Sequence, residues 1–401
     1  MRIEPRVKGF ICTTAHPEGC KAHVKQQIDY MKQQDTTEGP KSVLVIGASS
    51  GYGLASRIAA AFSCRAATIG VAFEKAARGS RTATAGWYNC AAFEEFAAAE
   101  GLYAKTINGD AFSREIKEQT IELIRRDLGT VDMVVYSLAA PRRTVMSREG
   151  APITYSSVLK TVGQPYTSKS IDLRTNQVTQ VTVEPATEEE IDNTVKVMGG
   201  EDWQDWIAAL DEAGVLADGA VTVAYSYIGP ELTFPIYRNG SIGMAKRHLS
   251  QTAATMTKEY RDRGLQAYVS VNKALVTQSS SAIPIVPLYI SILYKIMKEM
   301  DLHEGCAQQM YRLFHDKLYS GEVALDQDGQ IRLDDYEMRP EVQERVMKLW
   351  ENVCDENLQE SADIQGYWDD FYALFGFRIQ GVDYEADQEA DRVIPSLCAA
   401  E

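Results

Sequence analysis

Short apolar runs separated by amphipathic stretches dominate the first third of the chain. Ser42-Val-Leu-Val-Ile46 has no alternating polar face, and residues 66–72, 102–107 and 131–136 repeat its character. Between these runs, residues 52–62, 89–100 and 113–127 carry apolar positions at helical spacing. Strands without a polar face, alternating with helices, predict a parallel sheet covered on both faces. The rhythm breaks after residue 141. Residues 142–218 are polar, with an expected hairpin around 172–183, an acidic helix start at Ala186-Thr-Glu-Glu-Glu190, and Trp203 and Trp206 on an amphipathic helix. Apolar runs return at 221–225 and 267–271, the chain reads as mainly helical from about 285 to 374, and the acidic tail 384–401 is expected to be loosely held.

A glycine cluster sharpens this outline. Gly47-Ala-Ser-Ser-Gly51-Tyr-Gly53 joins the first apolar run to the first helix. Glycine allows a tight turn and close backbone approach to phosphate, while the helix that follows offers free N–H groups and the positive end of its dipole. Gly47, Ala48, Ser49, Ser50, Gly51 and Tyr52 are therefore candidates to hold a dinucleotide. The second apolar run ends in Phe73-Glu74, about 20 residues past the last glycine, where an acid accepts hydrogen bonds from the adenosine ribose. Glu74 would repel a 2′-phosphate and so favours NADH. Later strands end in Gly109-Asp110-Ala111 and Ser137-Leu138-Ala139-Ala140, which places Asp110, Ala111, Leu138 and Ala139 among the candidate cofactor contacts. The predicted fold is α/β, a doubly wound parallel sheet of Rossmann type in one enlarged domain. Its parts are an N-terminal extension (1–41), a dinucleotide-binding half (42–141), a polar insertion (142–218), a catalytic half with substrate lid (219–300) and a helical C-terminal extension (301–401).

Composition excludes several classes. The 401 residues carry a formal net charge of −15, which argues against nucleic acid or an anionic membrane as partner. No apolar run approaches the ~20 residues of a membrane helix. Seven cysteines, an odd number scattered from Cys12 to Cys398, point to a reducing cytoplasm. A monomer is expected. An anionic substrate would need a local basic patch, for which Arg142-Arg143 and Lys246-Arg247 are candidates.

Tyr237 and Lys246 stand nine positions apart. On one helix such positions face opposite ways, so the pair converges only if Tyr237 lies in a loop and the helix begins near Gly240. Tyr237 can then face a substrate with Lys246 beneath the cofactor, and a nearby ammonium is expected to lower the phenol pKa.

With this pair the chain resembles the trans-2-enoyl-CoA reductases and the FabV-type enoyl-acyl-carrier-protein reductases, enlarged relatives of the short-chain dehydrogenases. The resemblance rests on Ala15-His-Pro-Glu-Gly-Cys20, Gly86-Trp-Tyr-Asn89, Val195-Lys-Val-Met-Gly-Gly-Glu-Asp-Trp203, Ala224-Tyr-Ser-Tyr-Ile-Gly-Pro230, Tyr-x8-Lys and Val271-Asn-Lys-Ala-Leu-Val-Thr277. It implies NADH-dependent reduction of a trans-2 double bond conjugated to a thioester, carried on CoA or acyl carrier protein, in fatty acid synthesis. It also implies Tyr237 as donor to the thioester oxygen, Tyr227 as a substrate contact near that oxygen, Lys246 on the nicotinamide ribose, and Leu275, Val276 and Thr277 on the carboxamide. Residues 283–296 are a candidate lid and acyl wall, preceded by the polar run Gln278-Ser-Ser-Ser281.

Rival readings use the same residues. Gly47-Ala-Ser49-Ser-Gly51 matches a hydrolase nucleophile elbow, with His303 or His315 as its histidine, but leaves Glu74, Tyr237 and Lys246 unexplained. Cys12, His16, Cys20 and His23 could suggest zinc, although Pro17 and Gly19 keep them off one helix face. Asp326-Gln-Asp-Gly329 resembles part of a calcium loop with two ligand positions wrong, so a turn between short strands is expected. A non-enzymatic NADH sensor is the remaining alternative.

Overall fold

The computed structural model describes every residue except 9–10, 148, 281–282 and 399–401. Its main sheet comprises β1 (Ser42–Ile46), β2 (Ala67–Ala72), β3 (Ala104–Asn108), β4 (Val131–Tyr136), β5 (Leu216–Ser226), β6 (Gln266–Val271) and β7 (Ile331–Arg332). The strands are parallel in the order β7-β6-β5-β4-β1-β2-β3. The chain winds outward from β1 to β3, then returns to β4 on the other side of β1. Ligands bind at such a reversal, in the crevice beyond the carboxyl ends of the strands.

Alternate residues of β1 feed separate cores. Val43 and Val45 pack with side chains from α1 (Pro17–Gln33), α2 (Gly51–Phe62) and α3 (Ala85–Ala99). Leu44 and Ile46 pack on the opposite face, which is covered by α4 (Arg114–Asp127) and two later helices. Each of these strand side chains is fully buried, worth about 1.5–3 kcal/mol apiece. A charge at Val45 would therefore unfold this layer rather than tune it.

The polar middle of the chain has two characters. Residues Arg142–Met146 pair with Pro152–Ser156, and Tyr166–Asp172 with Gln177–Val183, as antiparallel hairpins apart from the main sheet. The second hairpin begins earlier than the sequence suggested, with its turn at residues 173–176. Then come α5 (Glu188–Met198), opened by a Thr187–Glu190 capping box, and α6 (Glu201–Glu212). Trp203 and Trp206 of α6 lie in the sheet core, where their indole N–H groups donate to Thr222 Oγ1 (2.8 Å) and the Ala111 carbonyl (3.1 Å). With α7 (Ser241–Glu259), α6 completes the second layer.

Two expectations change. The tail is docked: the Trp87 indole donates to the Arg392 carbonyl (2.6 Å), Tyr88 to the Ala390 carbonyl (2.6 Å), and Ile394 is fully buried. A few anchors on α3 outweigh the tail's charge, though its last residues, 399–401, lie outside the described ones. The short strand expected after the turn at 326–329 is β7, and it joins the main sheet as a seventh strand, a place that two residues with no readable period could not give. Just before it, Asp326 Oδ1 accepts the N–H groups of Asp328 and Gln330 and Oδ2 pairs with Arg332, so this carboxylate closes a turn.

Candidate active site

The glycine turn sits at the carboxyl end of β1. Gly47 (φ +86°) lies against β4's exit: a Cβ there would stand 2.1 Å from the Ser137 carbonyl, and one on Gly53 would stand 1.9 Å from the Gly47 carbonyl. Neither position admits a side chain. Gly51 (φ +52°) instead faces open space. The first bond into α2 is Leu54 N–H to the Ser50 carbonyl, and Ser50 makes no side-chain cap. The N–H groups of Gly51, Tyr52 and Gly53 therefore have no acceptor among the described residues, which suits a pyrophosphate. Tyr52 contributes only its backbone, because its hydroxyl donates inward to the Lys273 carbonyl (2.8 Å) and accepts from Gln309.

Glu74 closes the far side of the turn. Ser49 Oγ donates to its Oε1 (2.6 Å), and Asn108 brackets its backbone in both directions. Gly86 of α3 makes the room: a Cβ there would lie 2.1 Å from Glu74 Oε1. Asn89, one turn on, donates to the Ser49 carbonyl. The sequence motif around Gly86 and Asn89 was visible, but its task of seating Glu74 and the glycine turn was not. Phe73, beside Glu74, is 75% exposed. Leu138 touches the Gly47 position, and Ala139 is exposed at the same rim. Ala111 is buried with its carbonyl engaged by Trp206, and Asp110 accepts the Phe112 N–H on Oδ1 and the hydroxyl of Ser113, the cap of α4, on its carbonyl.

Tyr237 lies within a run of tight turns at 234–239 and α7 begins at Ser241, with Gly240 as its cap. The required break between the two residues is present. Lys246 is directed at β5, its Nζ donating to the Tyr225 carbonyl (2.9 Å), and burial pulls its pKa down to about 8. Tyr237 departs from expectation. Burial, then the charge of Glu337, raises its hydroxyl pKa well above the usual phenol range, with no lowering from Lys246. Desolvation opposes any phenolate, so Tyr237 keeps its proton and has it available to donate. Its ring meets that of Tyr227 edge-on, centroids 4.8 Å apart at 85°.

The loop after β6 completes the edge. Leu275 and Val276 are buried; the Val276 N–H donates to the Tyr294 hydroxyl (3.1 Å) and the Thr277 N–H to Ser280 Oγ (2.9 Å). The Thr277 hydroxyl is engaged locally, donating to Ser280 Oγ (3.2 Å) and accepting the Ser280 N–H (3.1 Å), which leaves the Val276 carbonyl without a donor among the described residues. Ser281 of the polar run lies outside the described residues. Beyond it, α8 (Val286–Glu299) is a core helix, whereas Ile283, Pro284 and Pro287 line an apolar cleft of about 400 Å³ with Ile171, Leu173, Val181 and Trp368. Ile285, a β-branched residue at φ +73°, caps α8 under backbone strain.

Other candidates separate. Arg143 is buried and neutralised by Glu201 and Asp205, and Arg247 bonds the Arg238 carbonyl. Ser49 serves Glu74, His303 is packed against Tyr294, and His315 pairs with Asp316, so no hydrolase triad forms among them. His16 accepts the Gly19 N–H as the cap of α1. Glu337, which the sequence reading missed, is buried behind Tyr227.

Comparison with known proteins agrees with this edge. Residues 81–319 match the family model "Trans-2-enoyl-CoA reductase catalytic region", and residues 2–79 match its NAD(P)H binding domain. An enoyl-[acyl-carrier-protein] reductase [NADH] of Flavobacterium johnsoniae is 58% identical over 96% of this chain and 97% of its own. A trans-2-enoyl-CoA reductase [NADH] of Ruminiclostridium cellulolyticum is 54% identical over 99% and 100%. The crystal structure of Treponema denticola trans-2-enoyl-CoA reductase in complex with NAD superposes with a TM-score of 0.94 at 48% identity, covering 98% of this chain and 100% of the other. Residues 325–387 match a model described as an enoyl reductase FAD binding domain. A flavin does not fit that segment. A Cβ on its Gly376 would stand 2.4 Å from the Cys20 nitrogen, and Val342, Val346, Tyr367 and Phe371 fill the core. The fold, the dinucleotide edge and these matches together make the chain a member of the trans-2-enoyl-CoA reductase family.

Proposed function

We infer that this chain reduces the trans-2 double bond of enoyl thioesters, on acyl carrier protein or CoA, with NADH, in fatty acid synthesis. The observation that carries the reading is Tyr237 in a turn ahead of α7 with Lys246 six residues into that helix, both at the sheet edge that holds the glycine turn and Glu74. Bound NADH supplies hydride to C3 of the thioester. The N–H groups of residues 51–53 hold the pyrophosphate, Glu74 the adenosine ribose, Lys246 the nicotinamide ribose, and Thr277 with the Val276 carbonyl the carboxamide. Tyr237 donates a hydrogen bond to the thioester oxygen, where negative charge develops as C3 is reduced. A donor aimed at developing charge in a dry site is worth about 3 kcal/mol. The cleft at Ile283–Pro287 receives the acyl chain. All seven cysteines are unpaired, the state a reducing cytoplasm maintains, and the protein acts there as a monomer.

NADH oxidation driven by crotonyl-CoA, and by a crotonyl carrier protein, tests the reading. NADPH should be the poorer donor, and Glu74→Ala should lower the NADPH Michaelis constant by about tenfold, ~1.4 kcal/mol of relieved like-charge repulsion. An unchanged cofactor preference would move Glu74 out of the ribose site.

The pH profile offers a second check. A lysine is charged below its pKa, and burial holds Lys246 at about 8. The kcat/KM for NADH reports the free enzyme, so it should fall as pH rises through about 8. A constant value through that range would detach the ammonium from cofactor binding.

A further inference from the structure

Glu337 is fully buried, and every described contact to its carboxylate comes from a donor. Oε1 accepts from the hydroxyls of Tyr227 (3.0 Å) and Tyr289 (2.7 Å), and Oε2 accepts the Ala274 N–H (2.7 Å). Gln343 donates to the Tyr289 oxygen (3.3 Å), so the hydrogen of that hydroxyl belongs to Glu337. Burial raises the Glu337 pKa, and the charge of Lys273, buried alongside, opposes that shift. Three donors and a neighbouring cation describe a carboxylate rather than a carboxylic acid.

A tyrosine hydroxyl has one hydrogen to give. Tyr227 spends it on Glu337 and turns only lone pairs toward the rest of its surroundings. Tyr237, edge-on to it at 4.8 Å, has no hydroxyl partner among the described residues. We propose that Glu337 is a positioning residue: by holding the hydroxyl hydrogen of Tyr227 it makes Tyr227 a wall and an acceptor, and leaves Tyr237 as the donor to the thioester oxygen. The inference rests on the reading of Tyr237 given above.

Glu337→Gln reverses this polarity without changing shape. The Ala274 N–H is a fixed donor and claims the amide oxygen, so the amide NH2 must face the tyrosines and donate to them. Tyr227 is then free to turn its hydrogen to the substrate. The test is a cycle of Tyr237→Phe, Glu337→Gln and the double variant, assayed with crotonyl-CoA and checked for NADH binding by fluorescence titration. Tyr237→Phe alone should be slow. Adding Glu337→Gln should raise its kcat by about tenfold through the new donor, and adding Tyr227→Phe should remove that gain. Glu337→Gln by itself serves in the cycle as the background against which the gain in the double variant is read. A double variant no faster than Tyr237→Phe, with NADH binding intact, overturns the proposal and leaves Tyr237 as the donor. A Tyr237→Phe protein at full rate overturns both. A purely structural Glu337 would slow either background and rescue neither.

Discussion

Replacing Tyr237 with Phe is expected to lower kcat for crotonyl-CoA by about 10²-fold or more while NADH still binds. The substitution keeps the ring that packs edge-on against Tyr227 and removes one oxygen with no partner among the described residues of the folded protein. Stability should therefore change little. The lost bond is one made as charge reaches the thioester oxygen, so the effect falls on kcat rather than on the cofactor's affinity. Steady-state kinetics beside an NADH titration separates the two. A near-normal kcat in the folded variant would hand the donor role to another group.

Lys246→Met should fail in both respects. The lysine is half-buried, and its ammonium donates to the Tyr225 carbonyl. A methionine of similar length fills the same space without a charge to desolvate, so the fold should survive. What disappears is a charged hydrogen bond to the nicotinamide ribose, about 1.5–3 kcal/mol, or roughly 10- to 100-fold in NADH affinity. Turnover should fall with it, because a misplaced nicotinamide cannot present its hydride at C3. Calorimetric titration with NADH checks the first effect and the kcat/KM for crotonyl-CoA the second. Intact NADH affinity would remove Lys246 from the cofactor site. Together the variants divide the labour at this edge: rate alone for Tyr237, binding and rate together for Lys246.

Much of this edge was legible in one dimension because its parts are local. Apolar runs without a polar face announced strands buried on both sides, and three glycines at fixed offsets announced a turn that must approach phosphate. The nine-residue gap between Tyr237 and Lys246 required a helix to begin between them, and α7 begins at Ser241. Ranges erred where period gave way to anchoring. The tail was judged by its acids, yet Ile394 and the carbonyls of Ala390 and Arg392 tie it to α3. The tryptophans of α6 were read as part of a polar insertion, although both lie fully buried against the sheet.

By itself, then, the sequence determined the doubly wound sheet, the glycine turn after its first strand and the family, and it marked Glu74, Tyr237 and Lys246 as candidates, since each is written within a short window of chain. Tertiary structure decided the protonation and polarity of the site. Tyr237 keeps its proton because burial and Glu337 disfavour its charge, against the expectation drawn from Lys246. Tyr227 turns its hydrogen inward because segments around residues 227, 274, 289 and 337 converge on one buried carboxylate. Desolvation and hydrogen-bond direction depend on which distant segments meet, and no local window of sequence encodes that meeting.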